Sequence, residues 1–201
     1  MYYRYKYLYL SDQLENRIKE LEKNINLNIN NSSINSLQKN DYIWYFAYGS
    51  NSFEQLKKRL NICNNIERKP VKLKDWIRIF HGNSTRWNGS VASIKKKINS
   101  SVDGILFKLT IQQLINLFKF ESGYRLKKFS GYEFGKNIKD IYTFIKEDDD
   151  LTQYKPNKNY LIAIAKLLKE RKLLLGLTDI THIKIDYNDK NGNYIKKYII
   201  K

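Results

Sequence analysis

Cysteine, methionine, proline and histidine are nearly missing from this 201-residue chain, which holds one Cys, one Met, two Pro and two His. A single cysteine, Cys63, excludes an internal disulfide framework and a cysteine-rich metal site. His81 and His182 stand 101 positions apart, and neither has neighbours at metal-ligand spacing. Each reads as a surface or hydrogen-bonded residue. There is no apolar run of 18 or more residues, so no membrane span is expected. The opening residues, Met1 to Lys6, lack the apolar stretch of a secretory leader. A cytoplasmic location follows as an expectation. GxGxxG, GxSxG, HExxH and CxxC are all absent, which removes the commonest dinucleotide, serine-hydrolase, zinc-protease and redox chemistries.

What is present is aromatic and basic. Hydrophobic residues make up 42% and aromatics 14% of the chain, enough for one good core. The net charge is +17, which invites a nucleic-acid reading. Its distribution speaks against one. Residues 1–40 carry 6 Lys/Arg against 4 Asp/Glu, residues 41–151 carry 20 against 12, and residues 152–201 carry 11 against 4. The excess is spread along the chain, and no specific nucleic-acid partner is expected. A basic nucleic-acid-binding protein remains an alternative that charge alone motivates.

Along the chain, Leu14, Ile18, Leu21 and Ile25 mark a short amphipathic helix, and the Asn-rich stretch 24–40 reads as a linker. Residues 1–40 are therefore expected to be an N-terminal extension, with a folded domain at 41–175 and a hairpin extension at 176–201. Strands are predicted at Arg68 to Leu73, Trp76 to Phe80, Val91 to Ile94 and Asp103 to Leu109. A polar loop is predicted at 81–90. Thr110 with Gln113 caps a short helix. A strand pair is predicted over 124–134 and 138–146. A polar bridge, 147–150, leads to a helix from Tyr160 to about Lys172, and a hairpin turns at Asn191-Gly192. Short strands with irregularly interspersed helices predict an α+β fold with a small mixed, barrel-like sheet flanked by helices.

The most informative stretch is Tyr42 to Asn51, an aromatic run that enters Gly49 and is followed by Phe53, Leu56 and Leu60 at helical spacing. It reads as strand, glycine turn and helix, with Asn51 as N-cap and Glu54 three residues on. Gly49 is expected in a backbone conformation closed to other residues. Such a turn presents backbone N–H groups at the positive end of a helix. That makes either an oxygen-binding site or a plain glycine turn. Glu121 is the carboxylate to single out, at a helix end beside Phe120. An apolar setting suits a carboxyl to proton transfer near neutrality; an ordinary helix-terminal Glu is the other reading.

Tyr45-Phe46-Ala47-Tyr48-Gly49-Ser50-Asn51 resembles the signature loop of the gamma-glutamylcyclotransferase family. Phe80 to Ser84, Trp87 to Ile94, Asp103 to Phe107, the helix before Glu121, and Pro156 to Tyr160 are similar to further family stretches in the same order, over roughly residues 42–175. The resemblance implies a small mixed barrel with helices outside, Glu121 as the catalytic acid/base, and a site formed by Tyr45 to Asn51 with Tyr124 and Tyr160. It implies ring closure of a gamma-glutamyl group to 5-oxoproline, with a small gamma-glutamyl molecule as partner, room for a homodimer, and no metal or cofactor. Phe118 stands where the family usually has Asp, and Ser122 intervenes before the glycine. Both motivate an alternative, a catalytically impaired member binding a gamma-glutamyl ligand or a protein.

Overall fold

The computed structural model describes residues 42–121, 123–135, 137–139, 141–146 and 154–201. The readings at 1–40, at Ser122 and at 147–150 lie outside the described residues. The chain forms two compact units. Of the described residues, one unit holds Tyr42 and 110–121, and the other holds the rest.

The larger unit is built on a mixed, curled half-barrel sheet of five strands. These are β1 (Tyr42–Ala47), β2 (Arg68–Ser84), β3 (Gly89–Thr110), β4 (Tyr124–Phe129) and β5 (Ile141–Lys146), in spatial order β2-β3-β1-β5-β4. β1 runs parallel to β5 with Trp44 opposite Ile141, while β2/β3 and β4/β5 are antiparallel. Helices α1 (Phe53–Leu60), α2 (Ile111–Phe118) and α3 (Lys158–Leu174) complete the α+β architecture, and β6 (Ile183–Asn188) pairs with β7 (Tyr194–Ile200) as a separate hairpin. No helix among the described residues is long and apolar enough to cross a membrane.

The core explains the aromatic excess. Phe46 packs edge-on against Phe134 at 5.0 Å and Trp76 against Phe129 at 5.1 Å between ring centres. Such pairs add about 0.5–1.5 kcal/mol each beyond the area they bury. The inner face of the last hairpin belongs to the same core, because Ile183, Ile185 and Tyr187 alternate inward against β2 and α3.

Four local expectations are corrected. The two strands split at Lys74-Asp75 are one: Asp75 takes a positive φ of 58° and its carboxylate accepts from the Asn99 N–H at 3.1 Å, so a bulge bends the ladder without ending it. The polar loop at 81–90 is mostly strand, since β2 continues to Ser84 and β3 starts at Gly89. The strand from Tyr124 ends at Phe129, where Ser130 and Glu133 form a capping box on a 3₁₀ turn. The last long helix starts at Lys158, with the Asn157 side chain accepting from the Asn159 N–H at 2.9 Å, so Tyr160 lies inside its first turn. The Thr110–Gln113 capping box is formed as the sequence predicts.

Candidate active site

β1 delivers the chain into a bend at Gly49-Ser50, and α1 begins four residues after Gly49. Tyr45, Phe46, Ala47, Tyr48 and Asn51 are buried; Gly49 and Ser50 are half-exposed. Surrounding side chains fix the turn from several sides. The Tyr48 hydroxyl donates to the Phe144 carbonyl at 2.6 Å, and the Thr143 hydroxyl donates to the Phe46 carbonyl at 2.6 Å, so β5 braces both sides of Ala47. Within the turn, the Ser52 N–H donates to the Ser50 carbonyl at 2.9 Å.

Asn51 is not the helix cap. That position falls to Ser52, whose side chain makes no capping bond. The Asn51 amide donates to the Tyr45 hydroxyl at 2.7 Å and its oxygen accepts from Arg59 at 2.7 Å. Tertiary partners have claimed the side chain that local pattern assigned to the helix end. The first helical N–H, on Phe53, instead donates to the Glu170 carboxylate of α3 at 2.9 Å, and the other Glu170 oxygen pairs with Arg68 at 2.7 Å. A carboxylate of the chain itself therefore meets the positive helix end.

Gly49 does not have a positive φ, contrary to expectation. Its significance is one of close approach: a Cβ there would lie 3.4 Å from the Tyr160 hydroxyl and 3.9 Å from the Ala92 Cβ. Tyr160 is buried between Trp87, at 5.0 Å, and Phe80, at 6.4 Å. Its hydroxyl accepts from the Ala92 N–H at 2.9 Å, while the Tyr124 hydroxyl donates to the Ala92 carbonyl at 2.9 Å. Both predicted tyrosines thus converge on one peptide segment of β3, beside the glycine turn. Glu121 lies in the other compact unit, half-buried just past α2, where its N–H donates to the Phe118 carbonyl at 2.9 Å. His81 is buried in β2, and His182 is exposed.

Sequence reasoning missed Arg78 and Glu170. From β2, the Arg78 Nε donates to the Tyr48 carbonyl at 3.1 Å and one Nη donates to the Asp103 carbonyl at 3.0 Å. Burial lowers the guanidinium pKa, and the nearby Asp103 carboxylate opposes that shift. A signal existed in each case: Arg78 interrupts the apolar run Trp76 to Phe80, and Glu170 is the one acid in helix α3.

No family model and no curated protein matches the chain. Solved structures do. One, described as a gamma-glutamyl cyclotransferase, is 22% identical with a TM-score of 0.52, covering 78% of this chain and 95% of its own. Another, an uncharacterized protein from Homo sapiens, is 21% identical with a TM-score of 0.53, covering 68% of this chain and 88% of its own. The fold is gamma-glutamyl cyclotransferase-like. At these identities the likeness is one of fold.

Proposed function

We propose that the chain is a gamma-glutamylcyclotransferase. The observation that carries this reading is a convergence: Gly49, Ala92 and Tyr160 come from three widely separated stretches, each resembling the family, and meet within 4 Å. The fold of the structural neighbour supports it.

The reaction is an intramolecular aminolysis. The alpha-amine nitrogen of a gamma-glutamyl group attacks its own side-chain amide carbonyl. A carbon–nitrogen bond forms to close the five-membered ring of 5-oxoproline, and the bond to the leaving amine breaks. Both reacting groups belong to one molecule, so the task is orientation and proton transfer. The alpha-amine is protonated at neutral pH, its pKa being roughly 8. Glu121 takes one proton from it and delivers a proton to the leaving nitrogen. Backbone N–H groups of Tyr48 to Asn51 hold the substrate's carboxylate and carbonyl oxygens. Tyr160 and Tyr124 stand beside that turn and contribute to the substrate site.

The test is release of 5-oxoproline from gamma-glutamyl-alanine, with glutathione in a parallel reaction. Free gamma-glutamyl amino acids are the expected substrates. A folded chain that binds gamma-glutamyl-alanine and leaves it intact would establish the alternative that Phe118 and Ser122 motivate, a catalytically impaired member that binds a gamma-glutamyl ligand.

A further inference from the structure

Arg78 is a cation set in an otherwise apolar stretch of β2. Its neighbours Trp76, Ile79 and Phe80 are buried, and its own side chain is half-buried. Burying a guanidinium is costly unless its donors are satisfied. Two of them end on backbone carbonyls, Tyr48 at 3.1 Å and Asp103 at 3.0 Å. The side chain also lines a polar cleft of about 310 Å³ with Asp103, Lys184, Asp186 and Asn188. The guanidinium stays protonated at any pH the protein survives.

The bond to Tyr48 is the informative one. The Tyr48 carbonyl and the Gly49 N–H belong to a single peptide group, and resonance couples them. A charged donor on the carbonyl oxygen draws electron density from the nitrogen and makes the N–H a stronger donor. We propose that Arg78 is a positioning residue that fixes and polarises the Tyr48–Gly49 peptide, so that the Gly49 N–H is a stronger donor to the substrate oxygen on which negative charge develops. This rests on the catalytic reading above. It adds a residue that none of the stretches resembling the family contains.

Charge develops on that oxygen during ring closure, so a stronger donor stabilises the transition state more than the bound substrate. Loss of the cation should therefore act on kcat more than on KM. A purely structural tie would do neither selectively.

The experiment compares the full-length chain with Arg78→Gln, which keeps a neutral donor, and Arg78→Lys, which keeps the charge. Thermal denaturation first establishes that each variant is folded. The Gly49 amide proton is then followed by NMR with glycine-selective nitrogen labelling, and kcat and KM are measured on gamma-glutamyl-alanine. The expected result for Arg78→Gln is an upfield shift of the Gly49 amide proton with kcat down about tenfold, below the roughly hundredfold or greater loss for deleting such a donor outright. KM should change by less than about threefold. Arg78→Lys should recover part of both effects. An unmoved Gly49 amide in folded Arg78→Gln protein, or equal losses in both variants, overturns the proposal. If Arg78→Gln does not fold, Arg78→Met, which keeps the stem and removes the charge, decides: an unmoved Gly49 amide or a change in KM alone counts against the proposal. If the native chain forms no 5-oxoproline, the catalytic reading fails, and the Gly49 shift still decides whether Arg78 polarises this peptide.

Discussion

Tyr160 carries two demands on one hydroxyl. The oxygen accepts from the buried Ala92 N–H, and the same group lies 3.4 Å from where a Gly49 side chain would begin. Tyr160→Phe keeps the ring between Trp87 and Phe80 but leaves the Ala92 N–H without that acceptor. The expected cost is about 1–3 kcal/mol of stability, the usual penalty for orphaning a buried donor. Thermal denaturation reads that cost, and a rise in KM at unchanged kcat would show that the hydroxyl also binds substrate. Gly49 makes a sharper contrast. Its φ is not in the left-handed region, so Gly49→Ala should fold with little loss, its Cβ just touching the Tyr160 hydroxyl. Gly49→Val adds two methyl groups beyond a Cβ already in contact with Tyr160 and Ala92, and should cost about 1–3 kcal/mol by overpacking. Similar melting temperatures for the two variants would contradict the close-approach account. The sequence pointed to a special backbone conformation at Gly49, and the observed φ overturns it. What a side chain there would meet comes from residues 92 and 160, which no local pattern shows.

At the scale of elements, legibility followed the distance between partners. The Thr110–Gln113 box joins residues three apart and was readable as a motif. The Asn191-Gly192 hairpin turn was readable for the same reason, with Gly192 at a φ of 85°. The start of α1 was misread, because its first N–H is satisfied by Glu170, 117 residues away. The strand break at Lys74-Asp75 was misread because a long antiparallel ladder absorbs a register shift, with Asp75 of β2 facing the longer stretch 97–100 of β3. Glu170 links α1, β2 and α3 through Phe53 and Arg68. Glu170→Ala should therefore destabilise the fold by roughly 1–3 kcal/mol, a charge-assisted bond and a partly buried ion pair being lost together. Amide exchange at the first turn of α1 should accelerate. If only the global melting point fell, with that turn still protected, Glu170 would not be its cap.

For the whole molecule, the strong positive charge is the property most apt to mislead. Many of the cations lie over aromatic rings: Arg68 over Phe53 at 4.2 Å, Lys69 over Trp44 at 4.4 Å and Lys127 over Trp76 at 4.9 Å. Aliphatic stems cover apolar surface while the heads stay in water. This accounts for several lysines and arginines without a polyanionic partner. The fold class was legible because an α+β text with irregular strand order admits few architectures. The site was legible in part. Its glycine turn and tyrosines were named in sequence, while the arginine behind the turn and the α3 carboxylate that meets the start of α1 emerged only from tertiary structure.

The most direct measurement is 5-oxoproline release from gamma-glutamyl-alanine by the native chain and by a folded Glu121→Gln protein, assayed side by side. The account predicts turnover by the native chain and a loss of at least about a hundredfold in the variant, the scale of a missing general base. Equal 5-oxoproline production by both proteins would remove Glu121 from the mechanism. None from the native chain, under conditions where it binds the substrate, would contradict the assignment of catalysis itself.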